Sequence, residues 1–270
     1  MSAAGLSRPD ARERAGSPDA NGARYLELMK RVLTNVIYED VTHRLDHANA
    51  GGNPRFDAER RRNGLDWPSV AHTMIGRKRL DNLHECLERV VADDVPGDLA
   101  ETGVWRGGSC IFMRAFLAAH GITGRQVWVA DSFEGMPDTD GSANELDREL
   151  ALHRMNEVLG IPLEVVRDNF RRYGLLDEQV RFLPGWFADT LPDAPVSELA
   201  VLRLDGDLYE STMDALVHLY PRLSRGGFVI VDDYALPPCR AAVREFRRVN
   251  GIHEPVEWID YMGVYWRREC

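Results

Sequence analysis

Short apolar runs alternate with amphipathic stretches over residues 98–270, and this alternation constrains the fold more than any other feature of the sequence. The apolar runs fall at 98–101, 126–131, 180–185, 199–205, 227–232, 256–260 and 263–266, with helical patterns at 108–119, 145–159, 187–191, 211–220 and 240–250 between them. Strand and helix in turn imply a mostly parallel sheet covered on both faces, because each parallel crossover needs a helix to carry the chain back. The predicted fold class is α/β, a doubly wound sheet, in which ligands sit at the carboxyl ends of the strands.

Upstream the pattern changes. Residues 1–22 combine Ala, Gly, Ser, Pro and charge without apolar periodicity, the composition of a disordered arm. Tyr25, Leu26, Met29, Val32, Leu33, Val36 and Ile37 recur at helical spacing and predict an amphipathic helix over 24–37. The polar stretch 39–67 contains the break Gly51-Gly52-Asn53-Pro54 and a charged run, 57–62, that reads as a solvated helix or a mobile loop. A second helix is expected over 70–91. The expected organisation is thus an arm at 1–22, a helical region at 23–95 acting as lid or oligomer contact, and a ligand-binding domain at 96–270.

Charge narrows the partners. The 43 acidic and 33 basic residues leave a net charge of −10, which disfavours nucleic acid and anionic membrane surfaces and favours a neutral or cationic small ligand. No apolar run approaches the roughly 18 residues of a membrane-spanning helix, and no secretory leader is legible. Cys86, Cys110, Cys239 and Cys270 are widely spaced without a zinc pattern, so reduced thiols in a cytoplasmic protein are expected.

The strand ends carry the chemistry. Glu101-Thr102-Gly103-Val104-Trp105-Arg106-Gly107-Gly108-Ser109 follows the first strand and opens a helix, a glycine-rich turn that suits a bound ligand or plain helix entry. A carboxylate at Glu101 would repel a pyrophosphate but suit a ligand with a cationic amino acid end, which S-adenosylmethionine has. Trp105 stands where a G-x-G-x-x-G turn has its second glycine, which disfavours an NAD-dependent oxidoreductase. Asp131 ends the second strand, where an acid accepts both ribose hydroxyls or caps a turn.

Asp205-Gly206-Asp207 and Asp232-Asp233 end two further strands and should bring four carboxylates to one rim. Either pair alone is as much a turn motif as a ligand set. Together they repel unless a proton or cation neutralises them, and oxygen-only donors suit Mg²⁺ better than zinc. A hydroxyl bound to such a cation loses its proton more easily, and a spare carboxylate can take it. Crossing the rim assigns Asp205, Asp232 and Asp233 to the metal and leaves Asp207, past the glycine, facing substrate as base. His72 and His153 are read as packing or hydrogen-bonding residues, and Trp105 and Trp258 as core.

On these motifs the sequence resembles the macrocin-type O-methyltransferases, which methylate deoxysugars of macrolides, aminocoumarins and enediynes. The matching stretches are HTMIG at 72–76, ETGVWRGG at 101–108, VADSFEG at 129–135, VRFLPGWF at 180–187, LRLDGDLYESTMD at 202–214 and GGFVIVDDY at 226–234. The resemblance implies a class I methyltransferase fold with a helical N-terminal addition, S-adenosylmethionine, Mg²⁺, a glycoside substrate and a homo-oligomer. It also implies Asp205, Asp232 and Asp233 on the metal and Asp207 as base. Thr73, Met74, Glu101, Thr102, Gly103, Asp131, Ser132, Gly185 and Trp186 are implied around the cofactor. Trp67 falls at a substrate position where relatives sometimes carry Tyr, whose hydroxyl an indole cannot replace. The stretch 136–147 resembles the loop that closes over substrate in relatives. A phenolic or catechol acceptor would serve the same metal arrangement, and a non-catalytic binding protein on this fold is the alternative of another class.

Overall fold

The computed structural model describes residues 18–43 and 55–269. Most of the expected arm, residues 1–17, and the expected break at 51–54 lie outside the described residues.

Seven strands form one sheet in the order β3-β2-β1-β4-β5-β7-β6. The strands are β1 (Asp98–Thr102), β2 (Val127–Asp131), β3 (Val180–Pro184), β4 (Leu199–Leu204), β5 (Leu223–Val231), β6 (Glu257–Trp258) and β7 (Val264–Arg267). Neighbouring pairs among β1 to β5 run parallel, whereas β7 is antiparallel to both β5 and β6. The order reverses between β1 and β4, the place where a doubly wound sheet opens a crevice at its carboxyl edge.

Alternate strand residues feed two apolar layers. Leu99, Val127, Val129, Val201, Phe228 and Ile230 pack on one face. They meet α1 (Ala20–Leu33), α3 (Gly76–Ala92), α4 (Gly108–Ala119) and α7 (Leu163–Arg172). Ala100, Leu202, Leu204, Val229, Val231 and Trp266 pack on the other, against α9 (Tyr209–Leu219) and α10 (Pro237–Val249). The α/β doubly wound expectation therefore holds. The N-terminal helices contribute Leu26, Leu33, Leu83 and Leu87 to the same core as the sheet, so the helical addition is built into the domain.

The N-terminal elements differ from the periodicity in instructive ways. α1 starts at Ala20 because the Asp19 side chain accepts from Asn21 N and Gly22 N, and it stops before Asn35, whose φ is 51°. The helix expected from residue 70 begins only at Gly76. The intervening backbone donors are already taken: Val70 N and Ala71 N by Asp40 Oδ2, and His72 N and Thr73 N by the Leu33 carbonyl. Residues 68–75 thus form a strap rather than a helical turn.

The charged run 57–62 forms the short helix α2 (Ala58–Arg62), and Arg61 is not solvated. It is 1% exposed and paired with Asp40 and Asp66 at 2.7 and 2.9 Å. The helix expected over 145–159 is broken into α5 (Glu145–Leu150), a 3-10 turn and α6 (Asn156–Leu159), with Ala151 at φ 46° between them. A four-residue helix, α8 (Phe187–Thr190), follows β3.

Candidate active site

The carboxyl ends of β1 and β4 flank the reversal point, with those of β2 and β5 beside them. Asp205 N donates to the Thr102 carbonyl and Asp232 N to the Leu204 carbonyl, each 2.8 Å, so the ladder extends one step beyond the strands and aligns the two acids on the rim. Gly103 makes this possible: its φ is 82°, and a Cβ there would lie 1.7 Å from the Asp205 carbonyl oxygen. Only glycine permits that approach.

A cleft of about 260 Å³ opens above the rim, lined by Trp67, Met74, Gly103, Asp131, Asp205, Asp207, Asp232 and Asp233 among others. A second lobe of about 170 Å³ shares Gly103, Asp131 and Asp205 and adds Ser132 and Trp186. Gly185, which donates to the Asp131 carbonyl, carries Trp186 there at a φ of 130°. Met74 arrives on the strap, which is pressed against the start of α4: Gly108 N donates to the His72 carbonyl, and a Cβ on Gly108 would strike it at 2.4 Å. Thr73 sits on the same strap, 4% exposed.

Asp131 braces two loops as well as lining the cleft. Its oxygens accept from Val104 N and Phe133 N, both at 2.7 Å, beside residues Trp105 and Phe133 held at positive φ. Glu101 and Thr102, both 1% exposed, lie beneath the turn. Glu101 accepts from Arg203 and from the Cys110 thiol rather than facing the cleft; burial pushes its pKa to about 7, against the pull of Arg203.

The acids divide unequally. The carboxylates of Asp205, Asp207 and Asp233 offer oxygens that all lie within 4.8 Å of one another. Burial and mutual repulsion raise the pKa of all three. Asp232 lies outside this trio, and Arg203 and Arg79 each hold one of its oxygens. Each oxygen keeps a second lone pair. Asp207 has a φ of 55° and donates its N–H to Asp233.

The two arginines are the site residues that sequence reasoning missed. Arg203 is 1% exposed and also bonds Asp205 at 2.8 Å; Arg79, from α3, additionally reaches Asp260 and the Gly64 carbonyl. The signal was present for Arg203, a cation next to the carboxyl end of a wholly buried strand, where only an ion-paired role is tolerable. His72 is turned away from the acids, with Nδ1 2.7 Å from the Tyr173 hydroxyl. Burial and then Arg106 and Arg172 lower its pKa to about 4. The unfolded chain therefore binds the extra proton between about pH 6.5 and 4, and stability should fall as pH falls through that window. His72→Asn is expected to flatten this acid limb in urea titrations; an unchanged slope would exclude His72 as its source.

Against known proteins, residues 22–268 match the macrocin-O-methyltransferase (TylF) family. The chain is 64% identical, over 90% of its length and 92% of the relative's, to the 8-demethyl-8-(2,3-dimethoxy-alpha-L-rhamnosyl)-tetracenomycin-C 4'-O-methyltransferase of Streptomyces olivaceus. It is 55% identical to the demethyldecarbamoylnovobiocin O-methyltransferase of Streptomyces niveus, over 95% of this chain and 97% of that one. The solved structure of the O-methyltransferase NovP superposes with a TM-score of 0.88 at 55% identity, covering 92% of this chain and all of the other. With its reversal-point cleft, class I sheet order and near full-length match, the chain belongs to the macrocin-O-methyltransferase family and is an S-adenosylmethionine-dependent O-methyltransferase.

Proposed function

We propose that the protein methylates a sugar hydroxyl of a glycosylated natural product, with Mg²⁺ held by Asp205, Asp232 and Asp233 and with Asp207 as general base. The observation that carries this reading is the continuity of the site: Asp205 and Gly103 line both lobes, so a cofactor lobe and an acid-rich lobe share one wall. A relative with 64% identity is named for 4'-O-methylation of a rhamnosyl group, which supports a sugar acceptor.

The donor set fits a hard divalent cation. Its donors are carboxylate oxygens only, and the crowding of Asp205 and Asp233 with Asp207 would by itself favour protonation over charge. A cation held there by Asp205, Asp232 and Asp233 would supply positive charge that eases loss of the proton from the substrate hydroxyl. Asp207 would take the proton of the substrate hydroxyl, and S-adenosylmethionine would supply the methyl group, its methyl–sulfur bond giving way to the new oxygen–carbon bond and leaving S-adenosylhomocysteine. Asp131 and Ser132 would hold the ribose end of the cofactor, Trp186 and Gly185 would flank it, and Thr73 and Met74 would close it from the strap. Thr102 and Glu101 would support it from beneath, and Trp67 would face the sugar or its aglycone. Arg203 and Arg79 orient Asp232, the role of groups that set ligand geometry from behind.

Methyl transfer to the tetracenomycin rhamnoside, to demethyldecarbamoylnovobiocin and to a simple catechol tests the proposal, each with added Mg²⁺ and with excess chelator. Transfer to a glycoside that stops with chelator is expected. Chelator-insensitive transfer would remove the metal, and transfer to the catechol alone would replace the sugar. Self-association is also proposed, because Tyr38, Val41 and Val70 expose 84, 50 and 61% of their surface, and sedimentation velocity tests it.

A further inference from the structure

We propose that Asp147 is a positioning residue for this reaction: from the segment that walls the cleft it caps α9 and thereby holds the Asp207 backbone in place. The inference rests on the reading of Asp207 as base.

α9 begins at Tyr209, and the residue before it, Leu208, has no polar side chain to cap it. The first-turn N–H groups therefore need acceptors from elsewhere. Asp147, 62 residues earlier on α5, supplies them: Oδ1 accepts from Tyr209 N at 2.6 Å and Oδ2 from Glu210 N at 3.1 Å. A carboxylate at a helix N-terminus is also favoured by the helix dipole. Asp147 is only 1% exposed, so its carboxylate is committed to this contact. α5 is itself capped by the Asn144 side chain, and Ser142 Oγ donates to Glu210 at 2.8 Å, a second tie between the same two segments.

Asp207 lies two residues before Tyr209 at a φ of 55°, a conformation that a non-glycine residue keeps only where its surroundings enforce it. On one side its N–H is held by Asp233. On the other, the chain is pinned by Asp147. Leu150 and Leu152, just beyond Asp147, line the cleft. The segment that walls the cleft thus also carries the carboxylate that ties down the chain just after Asp207.

Hydrogen exchange of the full chain without ligand, compared among wild type, Asp147→Ala and Asp147→Asn, tests the cap. Loss of a helix cap corresponds to a factor of roughly 2–30 in a local closing equilibrium. Exchange over residues 142–152 and 208–212 should rise by a factor in that range in the Ala variant. The Asn variant keeps one acceptor oxygen and nearly the same shape, so it should fall between, and it carries the test if the Ala variant does not fold. With the tetracenomycin rhamnoside, kcat per folded enzyme should fall in the same order, while KM for S-adenosylmethionine moves less than kcat. Unchanged exchange at 208–212 would overturn the cap, and raised exchange with unchanged kcat would reduce Asp147 to a structural contact. Turnover of Asp207→Asn within a few-fold of wild type would instead overturn the reading of Asp207, while exchange decides the cap by itself.

Discussion

Asp207→Asn is expected to lower turnover by a factor on the order of 10² or more, the usual cost of removing a general base. The substitution keeps the size of the side chain and its backbone N–H on Asp233, so the local geometry survives. S-adenosylmethionine affinity should be near that of the wild type, because Asp207 lines the acid-rich lobe and not the lobe that holds Ser132 and Trp186. Cation affinity discriminates between the two divisions of the acids. If Asp205, Asp232 and Asp233 hold the metal, Mn²⁺ binding followed by electron paramagnetic resonance should change little in Asp207→Asn and weaken clearly in Asp232→Asn. The reverse pattern would move Asp207 into the ligand set, in line with its proximity to Asp205 and Asp233. Turnover within a few-fold of wild type would rule Asp207 out as base.

Arg203→Met should be the most destabilising of the substitutions considered. The guanidinium pairs with Glu101, Asp205 and Asp232, and both Glu101 and Asp232 are almost fully buried. Removing one partner of a buried pair leaves charge without compensation, at a cost of about 3–5 kcal/mol. The urea midpoint should fall accordingly with little change in slope. Adding Glu101→Gln should recover part of the loss, since it removes one of the stranded carboxylates, and the double-mutant cycle measures how much. Saturating Mg²⁺ should also narrow the gap if the cation binds the folded acids. A shift below about 1 kcal/mol would mean that the carboxylates protonate at little cost once the arginine is gone.

The readings of particular residues show where local pattern suffices. Asp205 and Asp232 were legible because an acid ending a buried apolar run must emerge at the sheet edge, and the ladder bonds to Thr102 and Leu204 set them there. Glu101 obeyed the same rule of position, but its side chain turned inward because Arg203 offered a buried partner on the neighbouring strand. Arg61 was misread as solvated for a related reason: its partners, Asp40 and Asp66, lie outside the helix that carries it. Periodicity reports which face a residue occupies and says nothing of a partner many positions away.

By itself, the sequence determined the α/β class, the strands and most of the helices, the family, and the strand ends at which a ligand would sit, because these follow from local periodicity and from chain direction in a parallel sheet. Tertiary structure alone decided which donors and acceptors meet. It turned residues 68–75 into a strap by spending their N–H groups on Asp40 and Leu33, and it tied Asp232 to two buried arginines. It also brought Asp147 to the start of α9. Each is a long-range hydrogen bond or ion pair formed to satisfy a buried polar group, and such partners are fixed by packing rather than by neighbours in the chain.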